Sequence, residues 1–243
     1  MPASSRRALR GLMVQRAPFP TVTPMQHRAK AARSGNGPSP TLTFFRQWLK
    51  NPLSVAALSP SGKQLARLMV RELPDTARRV VELGGGTGVF TQAMLDHGIA
   101  PERLLVVELN AELHKFLHNR FPAANVVCGD ARELPALVSN AGFDREGRVD
   151  AVVSGLGLLS MPRGLQRDIL RAAFDVLTPD GRMVQFTYGP VSPVPREILD
   201  ELGLTVRRGG FAWWNIPPAS VFVYQRARSR PIPPVRAGER SGG

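Results

Sequence analysis

The sequence predicts an α/β fold with a doubly wound, mostly parallel sheet of the Rossmann-like type that ends in an antiparallel hairpin. Short apolar runs alternate with segments of helical spacing through the middle of the chain, which is typical of parallel strands joined by right-handed crossovers. The first apolar run breaks directly into glycines, from Gly84 to Gly88. Two late predicted strands, 204–208 and 220–225, have no helix between them, so we expect them to pair as a hairpin at one edge.

The individual elements follow from these patterns in chain order. A helix is predicted where apolar residues recur at helical intervals between turn residues, as in 163–177, which Thr178-Pro179-Asp180-Gly181 ends. An earlier helix begins near Ser59 and stops at Pro74. We expect strands at 79–83, 103–108, 125–128, 149–154 and 182–188. We expect the intervening helices at 88–97, 111–120, 133–139, 163–177 and 195–202.

Charge is distributed unevenly along the 243 residues, which carry a net charge of +13. Residues 1–71 hold 12 Lys and Arg and no acidic residue, whereas residues 72–225 hold 15 basic and 18 acidic residues. The globular part is therefore slightly acidic, and the positive charge lies at the two ends. We divide the chain into a disordered basic segment (1–40), two helices that dock on a membrane and cover the ligand site (41–75), an α/β domain (76–226) and a disordered basic tail (227–243).

The predicted helix over residues 41–50 is amphipathic. Its apolar face carries Phe44, Phe45, Trp48 and Leu49, with basic residues beside them. Aromatic residues suit the headgroup region of a bilayer and cations suit anionic lipids, although a helix packed on the domain could show the same pattern. The surrounding positive charge favours a peripheral membrane contact. No apolar run reaches the roughly 18 residues that span a bilayer.

The glycine-rich turn reads Glu82-Leu83-Gly84-Gly85-Gly86-Thr87-Gly88. A dinucleotide-binding turn has the pattern Gly-x-Gly-x-x-Gly, and here the third glycine comes one residue early. Glu82 would repel a phosphate and attract a cation. We expect glycine at 84, 86 and 88 because a side chain there would occupy the space of a nucleotide-like ligand. The pattern Glu-x-Gly-x-Gly-x-Gly resembles the first motif of class I S-adenosylmethionine-dependent methyltransferases, whose cofactor carries an ammonium and a sulfonium.

Three later strands also end in polar residues. Glu108 follows the second strand, where doubly wound folds place a carboxylate on ribose hydroxyls. Asp130 follows the third strand, at the position that faces the adenine amine in the methyltransferases, and we expect Ala131 to share this contact. Ser154 ends the fourth strand. Since parallel strands bring their carboxyl ends to one edge, we expect these residues and the glycine turn to bind S-adenosylmethionine without a metal.

Other reactive side chains give no strong alternative chemistry. Cys128, the only cysteine, lies in a strand that we expect to be buried, where it would be a small inert side chain. His114 and His118 lie one turn apart, but no third ligand or adjacent glutamate accompanies them, so a solvated helix face is the better interpretation than a zinc site. No elbow motif of a serine hydrolase is present in the sequence.

The acceptor side of the site is expected to use aromatic residues. Tyr188 ends the fifth strand at the same edge, and Trp213 and Trp214 stand in the predicted hairpin. We hypothesise that Tyr188 and one tryptophan flank an amine and hold it more tightly as it becomes a methylated cation. Packing of the hairpin on the sheet explains these aromatics equally well. Tyr188, Ser154 and Trp213 are the candidate catalytic residues.

Five segments together resemble the bacterial phospholipid N-methyltransferases: Phe44-Phe45-Arg46-Gln47-Trp48-Leu49, Ser59-Pro60-Ser61-Gly62-Lys63, Val153-Ser154-Gly155-Leu156, Val184-Gln185-Phe186-Thr187-Tyr188-Gly189-Pro190 and Asn215-Ile216-Pro217-Pro218-Ala219. The resemblance implies methyl transfer to the amine of phosphatidylethanolamine, towards phosphatidylcholine, by a cytoplasmic enzyme associated with the inner face of the cell membrane. Ornithine-lipid methylation is a closely related activity. The sequence departs from the family at Gly157, where proline is usual, and this leaves the rigidity of that loop open.

A nucleic-acid acceptor is the main alternative. Ribosomal RNA adenine dimethyltransferases have a similar Glu-Leu-Gly-x-Gly-x-Gly start, and a basic arm would bind a phosphate backbone. Those enzymes carry an Asn-x-Pro-Tyr or Asn-Leu-Pro-Phe loop after the fourth strand, whose Asn binds the target amine and whose aromatic stacks the flipped base. Ser154-Gly155-Leu156-Gly157 offers neither group. We therefore expect a lipid acceptor, and a cofactor-binding scaffold without catalysis is a third alternative.

Overall fold

The structure is a computed structural model that describes residues 60–213 and 217–227. Its strands are β1 (Val80–Leu83), β2 (Leu104–Glu108), β3 (Asn125–Cys128), β4 (Val149–Ser154), β5 (Leu177–Thr187), β6 (Leu204–Ala212) and β7 (Ala219–Arg226). Its helices are α1 (Pro60–Arg71), α2 (Val89–Asp96), α3 (Ala111–Arg120), α4 (Leu134–Asn140), α5 (Arg163–Val176) and α6 (Arg196–Glu201). Short 3-10 turns cover Pro101–Arg103, Ala131–Glu133 and Leu158–Ser160.

The strands form one sheet in the order β3-β2-β1-β4-β5-β7-β6. Strands β1 to β5 are parallel, and β7 is antiparallel to both of its neighbours, β5 and β6. Consequently β6 runs in the same direction as β5. The strand order reverses between β1 and β4, the switch point at which doubly wound folds bind ligands. The predicted fold and its C-terminal hairpin are confirmed.

Apolar side chains on the two faces of the sheet pack against different helices. One face, with Leu83 and Met183, packs on α4, α5 and α6. The other face, with Val106 and Val153, packs on α1, α2 and α3. Because both faces are covered, β1 and β2 are buried at every position, which explains why each reads as an apolar run up to Glu82 or Glu108.

Helix α1 runs from the carboxyl edge of the sheet towards the amino edge. Leu68 lies against Gly210, near the end of β6. One turn later, the carbonyl of Glu72 accepts a hydrogen bond from Arg182 at 3.2 Å, and its carboxylate pairs with Arg207 at 2.7 Å. Arg182 and Arg207 lie in the middle of β5 and β6, further from the carboxyl edge than Gly210. The N-terminal end of α1 therefore points towards the edge where β1, β4 and β5 end.

The structure corrects two predictions about single elements. Strand β5 begins at Leu177 rather than at 182, because Leu177 already pairs with Val149 and the predicted turn is a shift of register inside the strand. Cys128 is exposed, so the prediction of a buried thiol is wrong. The reason is that β3 is the edge strand, and its residues lack a neighbour on one side.

Several predictions fall on residues that lie outside the described ones. These are the basic segment 1–40, the amphipathic helix over 41–50, Trp214, and the tail beyond Ala227. The helix predicted from Ser59 is present as α1. Among the described residues, none of the helices has the length and apolar character required to cross a bilayer.

Candidate active site

The predicted site residues meet at the carboxyl edge of the sheet. The glycine turn follows β1, Glu108 ends β2, Asp130 and Ala131 follow β3, Ser154 ends β4 and Tyr188 follows β5. Trp213 follows β6 at the same edge, because β6 is parallel to β5. We call the part formed by β1, β2 and β3 the donor half, and the part formed by β4, β5 and β6 the acceptor half.

The glycine turn is packed closely on its neighbours, with one open position. The backbone N–H groups of Gly84 and Gly155 donate to the ends of β2 and β1, both at 2.8 Å. A Cβ at Gly84 would lie 2.8 Å from Leu156, and one at Gly88 would lie 2.4 Å from Phe121. Gly86 has φ +54°, and a Cβ there would meet nothing within 4 Å. Ligand space therefore explains glycine only at Gly86, and our explanation of Gly84 and Gly88 is corrected: these two allow the protein to pack on itself.

Glu82 is fully buried beneath this turn, on the side of the sheet covered by α2. Its Oε2 accepts a hydrogen bond from the hydroxyl of Thr91 at 2.5 Å, and its Oε1 has no partner among the described residues. Burial raises the pKa of Glu82 to about 8, and the charge of Glu108 acts in the same direction. A cationic donor would satisfy the free oxygen and restore the charge, because an opposite charge favours the ionised carboxylate.

Glu108 is held by backbone N–H groups on both sides. Its Oε2 accepts from Gly86 and its Oε1 from Asn110, each at 2.9 Å. The carboxylate thus sits directly beside the open position in the glycine turn. This geometry fits a group that accepts hydrogen bonds from the hydroxyls of a ribose placed over Gly86.

Asp130 has a partner that the sequence analysis did not foresee. Its Oδ1 accepts from the backbone N–H of Arg132 at 2.9 Å, and its Oδ2 pairs with the guanidinium at 2.6 Å. The hydrogen bonds from Arg132 hold the pKa of Asp130 below its usual range. Adenine recognition by Asp130 and Ala131 stays a prediction, and it requires the base to share this carboxylate with Arg132.

Leu109 is a second feature of the donor half that the motifs did not indicate. It directly follows Glu108, and 69% of its surface is exposed. An apolar side chain in this position can cover one face of an adenine. Its signal in the sequence is an apolar residue placed beyond the acidic end of a strand.

The acceptor half contains a loop that is held from below by buried glutamines. Gln185, fully buried on β5, donates through Nε2 to the carbonyls of Leu156 at 2.8 Å and Phe186 at 2.6 Å. Gln166 on α5 donates through Nε2 to the carbonyls of Leu158 at 2.7 Å and Met161 at 3.2 Å. Three of these four bonds, to Leu156, Leu158 and Met161, fix the loop after β4, so its rigidity does not require a proline at Gly157.

The predicted catalytic residues differ in their surroundings. Ser154 is fully buried, and its hydroxyl accepts from the backbone N–H of Leu156 at 3.3 Å, so in this structure it shapes the turn. The ring of Tyr188 lies edge-on to Phe186, with centroids 5.4 Å apart, and Phe186 is 5.7 Å from Phe90. Trp213 is 76% exposed and packs against Phe211 at 4.4 Å. The catalytic roles of all three residues stay predictions.

The histidine pair lies away from this edge, on α3. The rings of His114 and His118 are 6.2 Å apart and stacked, and His114 Nε2 lies 3.3 Å from the carbonyl of Val126. Within the described parts of the chain, no group of three His, Cys, Asp or Glu side chains is arranged to hold a metal ion.

Comparison with known proteins agrees with this geometry. Residues 80–181 match the model of a methyltransferase domain family. The ornithine lipid N-methyltransferase of Singulisphaera acidiphila is 36% identical over 185 residues, which cover 74% of this chain and 92% of that protein. The chain belongs to the lipid N-methyltransferases. It is a class I enzyme of this type, and its cofactor is S-adenosylmethionine.

Two further relatives place this lipid N-methyltransferase among similar enzymes. The ribosomal RNA small subunit methyltransferase A of a Synechococcus strain is 30% identical over 130 residues, which cover 49% of this chain and 42% of that protein. The N-methyltransferase NodS of Bradyrhizobium japonicum, solved with S-adenosyl-L-homocysteine, has a TM-score of 0.53 at 16% identity and covers 77% of this chain and 99% of its own. The likeness to NodS supports the Rossmann-like methyltransferase fold.

The sequence analysis of this lipid N-methyltransferase missed the role of Gln185, because only the sheet register shows that its side chain lies below the loop after β4. Gln185 pairs in register with Ser154, one strand away, which places its amide below the loop that follows β4. A glutamine inside the apolar run of a central strand was the available signal, since a buried amide must find hydrogen-bond partners.

Proposed function

We propose that this enzyme transfers methyl groups from S-adenosylmethionine to the primary amine of a membrane lipid, with phosphatidylethanolamine as the acceptor and phosphatidylcholine as the final product. The relation to a lipid N-methyltransferase over nearly the full length of that relative carries the proposal. Ornithine lipid is the second candidate, because that relative is named for it. Both acceptors present an unhindered amine at the surface of a bilayer.

The donor half supplies binding and orientation. Glu82 provides a buried negative charge for the cationic donor, Glu108 accepts from the ribose, and Gly86 leaves room for the nucleoside. The bound cofactor supplies an electrophilic methyl group on a sulfonium. Methyl transfer then needs the acceptor nitrogen in line with the breaking carbon–sulfur bond, so the contribution of the protein is chiefly positioning.

The acceptor half positions the nitrogen. The lone pair of the neutral amine would form the new bond to carbon while the electrons of the breaking carbon–sulfur bond pass to sulfur. After the first and second transfers the methylated ammonium would lose a proton to water, and after the third the quaternary ammonium would keep its charge. The rigid loop after β4 and the ring of Tyr188 border the place where the amine must lie. We propose Tyr188 and Trp213 as the aromatic groups that hold the growing positive charge, an effect of roughly 0.5–2 kcal/mol. Ser154 would act through the shape of the turn.

We further propose that the enzyme works on the anionic inner face of the cell membrane. The outer side of α1 supports this, because Lys63, Arg67 and Arg71 are exposed at intervals of one turn and the helix contains no acidic residue. The predicted amphipathic helix over 41–50 would add aromatic contacts. A nucleic-acid acceptor is disfavoured, since the loop at Ser154–Gly157 has no side chain to bind and stack a flipped base.

The acceptor is tested with methyl-labelled S-adenosylmethionine and the full chain. Separate reactions contain vesicles with phosphatidylethanolamine, vesicles with ornithine lipid, and small ribosomal subunits. Label in phosphatidylethanolamine supports the proposal, and label in ornithine lipid alone selects the second candidate. Label in RNA, or in none of the three, overturns the proposal. Glu108→Gln is the matched control for label that does not depend on cofactor binding.

A further inference from the structure

The exposed apolar side chains of the described residues are concentrated at one edge of the sheet. Large apolar residues with high exposure are Leu109, Leu159, Val191, Val206 and Trp213. Leu109 belongs to the donor half, and Val206 lies within β6. The other three follow β4, β5 and β6, whose ends share the carboxyl edge. We call Leu159, Val191 and Trp213, exposed by 45%, 72% and 76%, the apolar rim.

Two of the segments that carry the rim are held by hydrogen bonds from within the protein. Leu159 lies in the 3-10 turn Leu158–Ser160, where Gln166 donates to the carbonyls of Leu158 and Met161. The carbonyl of Pro190, next to Val191, accepts a hydrogen bond from the guanidinium of Arg208. Single exposed apolar residues are common on any surface, but three at one edge of the sheet, two of them on segments held in this way, form a surface for a partner.

The charge around the rim identifies the partner as an anionic bilayer. Loops 155–162 and 188–195 contain no charged residue, and each is followed at once by an exposed arginine, Arg163 or Arg196, at the start of the next helix. The N-terminal end of α1 points to the same edge, and the 59 residues before it carry nine basic and no acidic side chains. Apolar tips with cations behind them match the acyl and headgroup layers of such a membrane, and tryptophan favours the boundary between these layers.

We propose that the apolar rim inserts into the headgroup region of an anionic bilayer, so that the carboxyl edge of the sheet faces the membrane. The acceptor half then lies at the depth of the lipid amines, and a lipid enters it from the side without leaving the bilayer completely. The donor half stays open to S-adenosylmethionine from water. This orientation rests on the proposed lipid acceptor, and it assigns to Leu159 and Val191 a role in membrane contact rather than in chemistry.

The test compares neutral polar substitutions at matched positions in the full chain. Leu159→Ser and Val191→Ser remove rim contacts, and Val206→Ser makes the same change at an exposed valine away from the rim. Binding is measured by flotation with vesicles of phosphatidylglycerol and phosphatidylcholine in equal parts. We expect each rim variant to bind about tenfold more weakly, as follows from burying one aliphatic side chain, and Val206→Ser to bind like the parent.

A second readout follows Trp213 directly. In a protein with Trp48→Phe and Trp214→Phe, Trp213 is the only tryptophan, and we expect brominated acyl chains in the same vesicles to quench its fluorescence. Thermal unfolding of every variant shows that the fold is retained. The orientation is overturned if the rim variants bind as the parent does and bromine leaves Trp213 unquenched. The orientation is also overturned if sedimentation shows that the apolar rim mediates a dimer and if the rim variants bind vesicles as tightly as the parent does.

Activity on lipid dispersed in detergent separates this orientation from the proposed function. We expect the parent and Val191→Ser to methylate dispersed phosphatidylethanolamine equally, because no bilayer is needed there. Quenching of Trp213 without methylation of any lipid amine would refute the proposed acceptor and leave the orientation in place. Methylation of a lipid amine, together with rim variants that bind vesicles as the parent does, would support the proposed acceptor and refute the orientation.

Discussion

Replacing Glu82 by Gln should change how the stability of the cofactor-free enzyme depends on pH. Burial raises the pKa of Glu82 from its ordinary 4.5 to about 8 in the fold, because no cation lies against it among the described residues. Between these two values the folded protein keeps the proton and the unfolded chain has lost it. The stability that this proton gives is fully present below the unfolded pKa and is lost as pH rises through the folded one.

The size of the effect follows from the two pKa values. Stability falls by about 1.4 kcal/mol for each pH unit in this window, which amounts to about 3 kcal/mol between pH 5 and pH 7. Glutamine has nearly the shape of the protonated acid and can still accept the hydrogen bond from Thr91, but it cannot ionise. The free energy of unfolding of Glu82→Gln, relative to that of the parent, should therefore rise steadily from about pH 5 to about pH 8 and stay constant at higher pH.

The assay is urea unfolding, followed by circular dichroism, of parent and variant across this range without cofactor. Glu197→Gln, at an exposed carboxylate on α6, controls for the removal of one negative charge from the protein. The reasoning is refuted if the difference in unfolding free energy between Glu82→Gln and the parent is independent of pH. Glu82 would then be ionised in the fold through an ionic partner, and its free oxygen would no longer indicate a cationic ligand.

Substitutions at four positions of the edge, with Gly203→Ala as a control, test the rest of the account. Gly86→Ala should weaken S-adenosylmethionine binding at least tenfold, as measured by calorimetry. Gly203 is also at positive φ with open space around it, so Gly86→Ala and Gly203→Ala should each lower the free energy of unfolding by about 1 kcal/mol in urea. Only Gly203→Ala should leave binding intact. Gln185→Leu leaves two carbonyls without their donor, so we expect kcat to fall while cofactor affinity holds, and equal losses in both would contradict a role confined to the acceptor half. Trp213→Ala should lower kcat/KM for detergent-dispersed lipid about tenfold, because the ring holds the methylated cation there without any contribution from a bilayer. Unchanged turnover of dispersed lipid in this variant and in Tyr188→Phe would exclude the aromatic pair.

The sequence predicted the sheet correctly and placed the residues of the donor half at one edge of it, for a physical reason. Central strands are buried on both faces and end at the same edge, so each appears as an apolar run closed by a polar residue, as at Glu82 and Glu108. Positions at the margin of the sheet carry no such signal. Cys128 belongs to an apolar run like the others, but it lies on an edge strand and is exposed, and strand order cannot be read from such a run.

Contacts that the motifs do not encode account for most of the remaining differences. The glycines at 84 and 88 are required by Leu156 and Phe121, and no local pattern announces either neighbour. The pairing of Arg132 with Asp130 depends on the 3-10 turn that follows β3, which replaced the start of a predicted helix. In each case the motif placed the residues at the carboxyl edge of the sheet, and contacts that the motif does not encode set their surroundings.

Titration calorimetry of the folded full chain with S-adenosylmethionine tests the central claim, that a buried carboxylate beneath the glycine turn receives a cationic donor. At about pH 7 the account predicts binding with release of a proton, because Glu82 must ionise to face the cation, so the observed heat should differ between phosphate and Tris buffers. In Glu82→Gln the difference between buffers should vanish and binding should weaken. Absence of binding to the folded parent, or tight binding by Glu82→Gln with the proton still released, would contradict the account.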